Sequence, residues 1–156
     1  MAKKKSSHSR IWNDLPPAPV CAPPPDLSVL GSGLKYLAPA YWEPRMFFQG
    51  AFDVELRRAT GVFPVTFRPD RKTHPLFVLE RLADLGHRVC PCSSRNWAAR
   101  RFIRGGCVLE VTDRITDRDS YLVESCTFNL PLDPGFWEPL RFLGRVPEAC
   151  LAECGP

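Results

Sequence analysis

The chain is predicted to fold as a small, mainly β domain, either a barrel or an α+β arrangement, and three observations carry that expectation. Short stretches rich in β-branched and aromatic residues recur with apolar side chains at every second position, the period of a half-buried strand. Turn signals separate these stretches at the spacing expected of a β-rich domain. A helix signal stands at the end, over 144–153. At 156 residues the chain has the length of one domain. Its 44% of hydrophobic residues can build a core, and 24% charged residues is ordinary for a soluble protein. The chain has no internal repeat.

Residues 1–45 read as a basic, Pro-rich, flexible arm, and 46–154 as the folded domain. The arm begins MAKKKSSHSR and continues PPAPVCAPPP, a stretch suited to extended polyproline geometry and poor in backbone donors. It reads as a spacer, with an SH3 or WW ligand as the lesser alternative. Much of the net charge of +4 lies in Lys3, Lys4, Lys5 and Arg10. That mild basic balance permits a polyanion partner without requiring one. Gly31 and Gly33 break the transition to the domain, where Tyr41 and Trp42 are expected to dock.

Within the domain the pattern changes from Phe47, and Phe52, Val54 and Leu56 alternate with Asp53 and Glu55, the period expected of a half-buried strand. Val62–Phe67, interrupted by Pro64, suits an edge or loop arm, and Arg68–Thr73 a charged turn. Residues 75–85 carry two readings. Pro75–Glu80 is a compact apolar run suited to a strand. Thr73 as a cap, Pro75 in the first turn, Leu76, Leu79, Leu82 and Leu85 at helical spacing, and Gly86 as a stop fit a helix, which local signals slightly favour. His87–Cys92 follows as a strand, then Phe102–Thr112 as a glycine bend feeding another. Asp119–Leu130 alternates clearly, Pro131–Trp137 is a turn, and GRVPEACLAE suits a short terminal helix with Pro147 in its first turn.

No run of eighteen apolar residues is present, and no apolar stretch follows the basic start, so neither a membrane span nor a signal peptide is expected. The expected setting is the cytoplasm. Seven cysteines, an odd number, read there as thiols. Cys90 and Cys92 share a strand face and, with Cys107 and Cys126, would make a four-sulfur zinc site. The spacing departs from the usual knuckle of two to four intervening residues, so buried apolar thiols are the preferred reading. Cys150 and Cys154 would share a helix face. No metal or cofactor is expected.

The chemistry-bearing residues gather around Lys72–Ser94, at the ends of two elements that can be sheet neighbours. His74 precedes Pro75, and Ser93 and Ser94 close the next apolar run. Arg95, Trp97, Arg100 and Arg101 follow directly, aromatic and arginine residues interleaved as in surfaces that stack bases and hold phosphates. The plainer readings are a surface histidine, a serine turn at a strand end, and a solvated basic face.

The order of these pieces resembles the MazF/PemK-like toxins of bacterial toxin–antitoxin pairs, over about residues 47–152. QGAFDVEL stands for the family's Gly-containing first strand, THPLFVLE for its Arg-Pro-led strand, and CPCSS for its Pro-x-Thr/Ser-Ser element. DSYLVE and GRVPEACL stand for a later strand and the lead into a terminal helix. The resemblance implies an SH3-like barrel with a short C-terminal helix, a homodimer, metal-free cleavage of single-stranded RNA, and an acidic antitoxin as partner. It makes Leu76 part of a strand. It carries the catalytic positions onto His74, Ser93 and Ser94, with Lys72, Arg95, Arg100, Arg101 and Trp97 binding RNA. Where the family has arginine before the proline, this chain has His74. An imidazole suits proton transfer at neutral pH but lacks a permanent bidentate charge. The alternatives are a non-catalytic barrel binding nucleic acid or a protein, a structural zinc protein, and an α/β fold with a helix over Thr73–Leu85.

Overall fold

A computed structural model describes residues 34–65, 72–133 and 140–156. Residues 1–33, the charged turn at 68–71, the end of the 62–67 arm and most of the 131–137 turn lie outside the described residues. Eight strands form one curled antiparallel sheet: β1 (Met46–Phe52), β2 (Thr73–Arg81), β3 (His87–Ser93), β4 (Arg101–Ile103), β5 (Ser120–Leu122), β6 (Phe128–Leu130), β7 (Arg141–Arg145) and β8 (Leu151–Glu153). The described residues hold one α-helix, α1 (Asp53–Thr60). The fold is mainly β, as the sequence predicts.

The strand order is β7-β1-β2-β3-β5-β4-β8, with β6 also paired to β3. A flat path of that many strands would separate β7 from β8 by roughly 29 Å. Residues 146–150 connect them and let Arg145 and Leu151 lie at most about 21 Å apart. The sheet must therefore curl, and it does so into a half-barrel. Glu110 bridges to Arg145 through backbone pairing, the Arg145 guanidinium binds Glu110 and Glu43, and a disulfide joins Cys107 to Cys150. These contacts stitch the open side.

Each face of the central strands feeds its own core. Leu76 and Val78 of β2 join Met46, Phe48, Trp42 and Leu56 on one face. Phe77 joins Phe47, Cys90, Cys92, Ile103 and Leu109 on the other. Double burial explains why β2 is a strand despite its helical leucine spacing: pairing with β1 and β3 satisfies its backbone while both faces leave water. The helical tail of that pattern survives only as a 3₁₀ turn at Ala83–Leu85.

Four expectations are corrected. The first strand ends at Phe52, and Asp53–Thr60 is helical. Asp53 and Glu55 lie in its first turn and Arg57 and Arg58 in its last, matching the helix dipole. Gly61 closes it in the left-handed region, its N–H donating to the Arg57 carbonyl at 2.8 Å. The 119–130 stretch is two strands, β5 and β6, split by a 3₁₀ turn at Glu124–Cys126, where the Thr127 hydroxyl donates to the Glu124 carbonyl. Most of 102–112 is loop after the short β4, touching its neighbours through isolated bridges at Val108 and Glu110.

The expected C-terminal helix is absent. Its place is taken by the end of β7, a 3₁₀ turn at Glu148–Cys150, and β8, which supplies backbone partners to β4. Gly144 sits at φ 145°, and a Cβ there would lie 2.6 Å from Leu109 Cβ, so the chain crosses the 109–112 loop without room for a side chain.

Residues 34–45 pack on the sheet. The Phe142 N–H donates to the Lys35 carbonyl at 2.7 Å, and Trp42 stacks on Phe48 at 4.1 Å. Tyr41 stays exposed. No described helix is long and apolar enough to cross a membrane.

Candidate functional site

The ends of three strands assemble the site. Ala51 of β1 pairs with His74 of β2, and the β2–β3 register of Leu76 with Pro91 runs on to bring His74 level with Ser93. The β1–β2 pairing continues one step past the strand, where the Asp53 N–H donates to the Lys72 carbonyl at 2.9 Å. Asp53 is therefore the diagonal cross-strand neighbour of His74. Its Oδ1 lies 2.6 Å from His74 Nδ1.

The Asp53 side chain is 3% exposed and that of His74 26%, so the carboxylate is sealed behind the ring. A carboxylate only accepts, which puts a ring proton on Nδ1, and in the neutral ring the lone pair then lies on Nε2. Among the described residues Nε2 has no hydrogen-bond partner. Phe63 meets the imidazole edge-on at 4.9 Å and limits its rotation.

Two open clefts meet at His74. The first, about 480 Å³, lies over the Phe47, Leu109 and Leu143 side and is rimmed by Arg114, Thr116 and Arg118. The second, about 390 Å³, is walled by Phe63, Pro64, Val65 and Trp97. Thr73, His74, Ser93 and Ser94 line both. Both volumes fall in the usual range for ligand sites, ~300–1,000 Å³.

Of the residues singled out from sequence, Lys72, His74, Ser93, Ser94, Arg95 and Trp97 all line the second cleft. Ser93 is buried, and its Oγ accepts the Arg95 N–H at 3.1 Å, so it shapes the loop that follows. Ser94 is exposed and free to donate to a ligand. Arg100 and Arg101 line neither cleft. Arg101 Nε donates to Glu124 at 2.8 Å, and that bond raises the guanidinium pKa further.

The sequence reading missed Asp53, Phe63, Arg114 and Arg118. Nothing local marks Asp53, whose partner lies 21 residues on. The arginines stand in TDRITDRD, a polar run that reads as an ordinary turn.

The remaining titratable groups of the core are structural. Burial lowers the pKa of His87, against the raising effect of its bond to the Pro39 carbonyl, and Arg81 lowers it further. Burial likewise pushes the Cys92 thiol well up, with Cys90 adding to it, so Cys92 is not poised as a thiolate. The four-sulfur zinc alternative fails because Cys107 is bonded to Cys150, which also corrects the reading of these two as thiols. Among the described residues no group of three or more His, Cys, Asp and Glu is placed to hold a metal ion. Comparison with protein-family models, with curated proteins and with solved structures found no match.

Proposed function

We propose that this chain is a metal-independent endoribonuclease for single-stranded RNA, of the MazF/PemK type and built on an SH3-like barrel. The observation that carries the reading is the His74–Asp53 pair at 2.6 Å, set where His74 lines both clefts. An imidazole held by a buried carboxylate is a proton-transfer group in a defined tautomer.

In the proposed reaction Nε2 takes the proton of a ribose 2′-hydroxyl. The 2′-oxygen attacks the adjacent phosphorus, forming the O2′–P bond as the P–O5′ bond breaks. His74, now protonated, returns the proton to the departing 5′-oxygen. Asp53 holds the ring and balances the imidazolium that forms. Lys72 and Arg95 face the charge growing on the phosphoryl oxygens, and Ser94 donates a hydrogen bond to one of them. His74 thus supplies proton transfer where the family has arginine, and the cationic role passes to Lys72 and Arg95. The same reading carries a homodimer, a cytoplasmic setting and an acidic antitoxin laid over the basic cleft.

The test is cleavage of end-labelled single-stranded RNA in EDTA by the full chain, beside His74→Ala and Asp53→Asn. Cutting by the native protein and its loss in His74→Ala supports the proposal. RNA that is retarded on a gel but left intact assigns the chain to non-catalytic nucleic-acid binding instead.

A further inference from the structure

We infer that the two clefts divide one RNA strand between them: the Phe63–Trp97 cleft seats an unpaired nucleobase, and the Arg114–Arg118 cleft takes the backbone running on from it. This deepens the endoribonuclease reading and rests on it for the class of ligand. The strand crosses the end of the sheet over His74, where Thr73, Ser93 and Ser94 border both clefts.

The walls of the two clefts differ in chemistry. Trp97 is 42% exposed, and among the described residues its ring has no aromatic neighbour and its N–H no acceptor. A large aromatic left open in a cleft with Phe63, Pro64 and Val65 offers a flat apolar surface to a base. The loop that carries it is preformed. Ser93 Oγ accepts the Arg95 N–H at 3.1 Å, Asn96 Oδ1 accepts the Ala99 N–H at 2.9 Å, and Ala98 takes a positive φ of 56°. Little ordering is left to be done on binding. Lys72 and Arg95 flank the same cleft, where the phosphate attached to a seated base would lie.

Apart from His74, which borders both clefts, the other cleft has no aromatic side chain open for stacking, since Phe47 is buried in the core. Its rim is polar, with Arg114, Arg118, Thr116, Gln49 and Ser120 suited to phosphate and sugar contacts, and it also carries Asp117, paired with Arg118 at 3.2 Å, which a phosphate would have to displace from that guanidinium. Two consequences follow. The smallest ligand filling the site is a dinucleotide, and a base is stacked on one side of His74 only. A duplex is excluded, because a paired base cannot enter the Trp97 cleft without leaving its stack.

The test separates binding from cutting. Fluorescence anisotropy measures the full chain against a 2′-O-methyl RNA heptamer, which cannot be cleaved, and the same heptamer carrying abasic positions. Native protein is expected to bind the base-bearing strand at least about 10-fold more tightly. Trp97→Ala is expected to lose roughly 5- to 100-fold and fall to the abasic level. Trp97→Phe, which keeps a ring, should recover most of the loss. Arg118→Ala should weaken both strands alike and reduce the salt dependence by about one ion. Equal binding of the two strands by native protein, or unchanged binding in Trp97→Ala, overturns the inference. Base-dependent binding by a chain that fails to cut unmodified RNA overturns the endoribonuclease proposal and leaves this inference standing.

Discussion

Two histidines stand on the same face of the sheet, one at each end of the β2–β3 pair, and they are put to opposite use. His74 opens toward the clefts at the start of β2, while His87 begins β3 opposite Arg81 at the end of β2. Each touches an aromatic ring of the same core, Phe63 at 4.9 Å for one and Trp42 at 5.5 Å for the other. Each binds an oxygen at 2.6 Å through one ring nitrogen.

The difference lies in what that oxygen is and where the second nitrogen points. His74 binds a carboxylate and lines both clefts, with Nε2 unpartnered among the described residues. His87 is fully buried, binds the Pro39 carbonyl, and its Nδ1 is sealed in the core with no partner. Protonating His74 gives an ion pair with Asp53. Protonating His87 puts an unpartnered N–H in apolar surroundings close to the Arg81 charge. The residue type is the same, and partner and exposure decide that one can move protons and the other anchors residues 34–42 to the sheet.

The largest effect expected is on His74. His74→Ala should lower RNA cleavage by about 10³-fold, the middle of the range for a general acid–base group, in protein that urea unfolding shows to be still folded. His87→Ala should do the reverse. Loss of a buried ring and of the Pro39 bond should cost about 2–4 kcal/mol in urea unfolding, with cleavage by the folded protein within about twofold of native. Asp53→Asn should reduce cleavage by roughly 10²-fold, because the amide no longer holds the imidazolium or fixes its tautomer.

The pH dependence should sharpen the contrast further. His87 has a lowered pKa when folded, so below about pH 6.5 the unfolded chain binds a proton that the folded chain resists. Stability is then full above that pH and falls as acid approaches the folded pKa. Thermal melts across pH 4.5–8 should show that fall, and His87→Gln should flatten it by up to about one proton. The smallest effect is expected at Arg101. Its partly exposed pair with Glu124 should be worth under about 1 kcal/mol, and Arg101→Ala should leave RNA binding unchanged.

The same contrast shows what could be read in the chain. His74, Ser93, Ser94 and Trp97 were legible because they cluster near the ends of two apolar runs that become adjacent strands. Asp53 was not, because only the pairing of β1 with β2 brings it to His74. It also sat inside an alternating run, Phe52–Leu56, whose period of two disguised the first turn of a helix. The acidic first turn, basic last turn and Gly61 were the local signs that a helix began there. At the other end of the chain, helix signals over 144–153 gave way to a pairing that no local rule contains. The open edge of β4 and the bond from Cys107 to Cys150 hold that segment as turn and strand.

His74, and not His87, is the histidine that meets the ligand, and chemical modification distinguishes the two. The full chain is treated with diethyl pyrocarbonate, with and without excess 2′-O-methyl RNA. Peptide mass then reports each histidine while aliquots are assayed for cleavage. The expected result is rapid carbethoxylation of His74, loss of cutting in step with it, protection by the RNA, and an unmodified His87 until the protein unfolds. Cleavage that survives full modification of His74, or His87 reacting first in the folded protein, would contradict it.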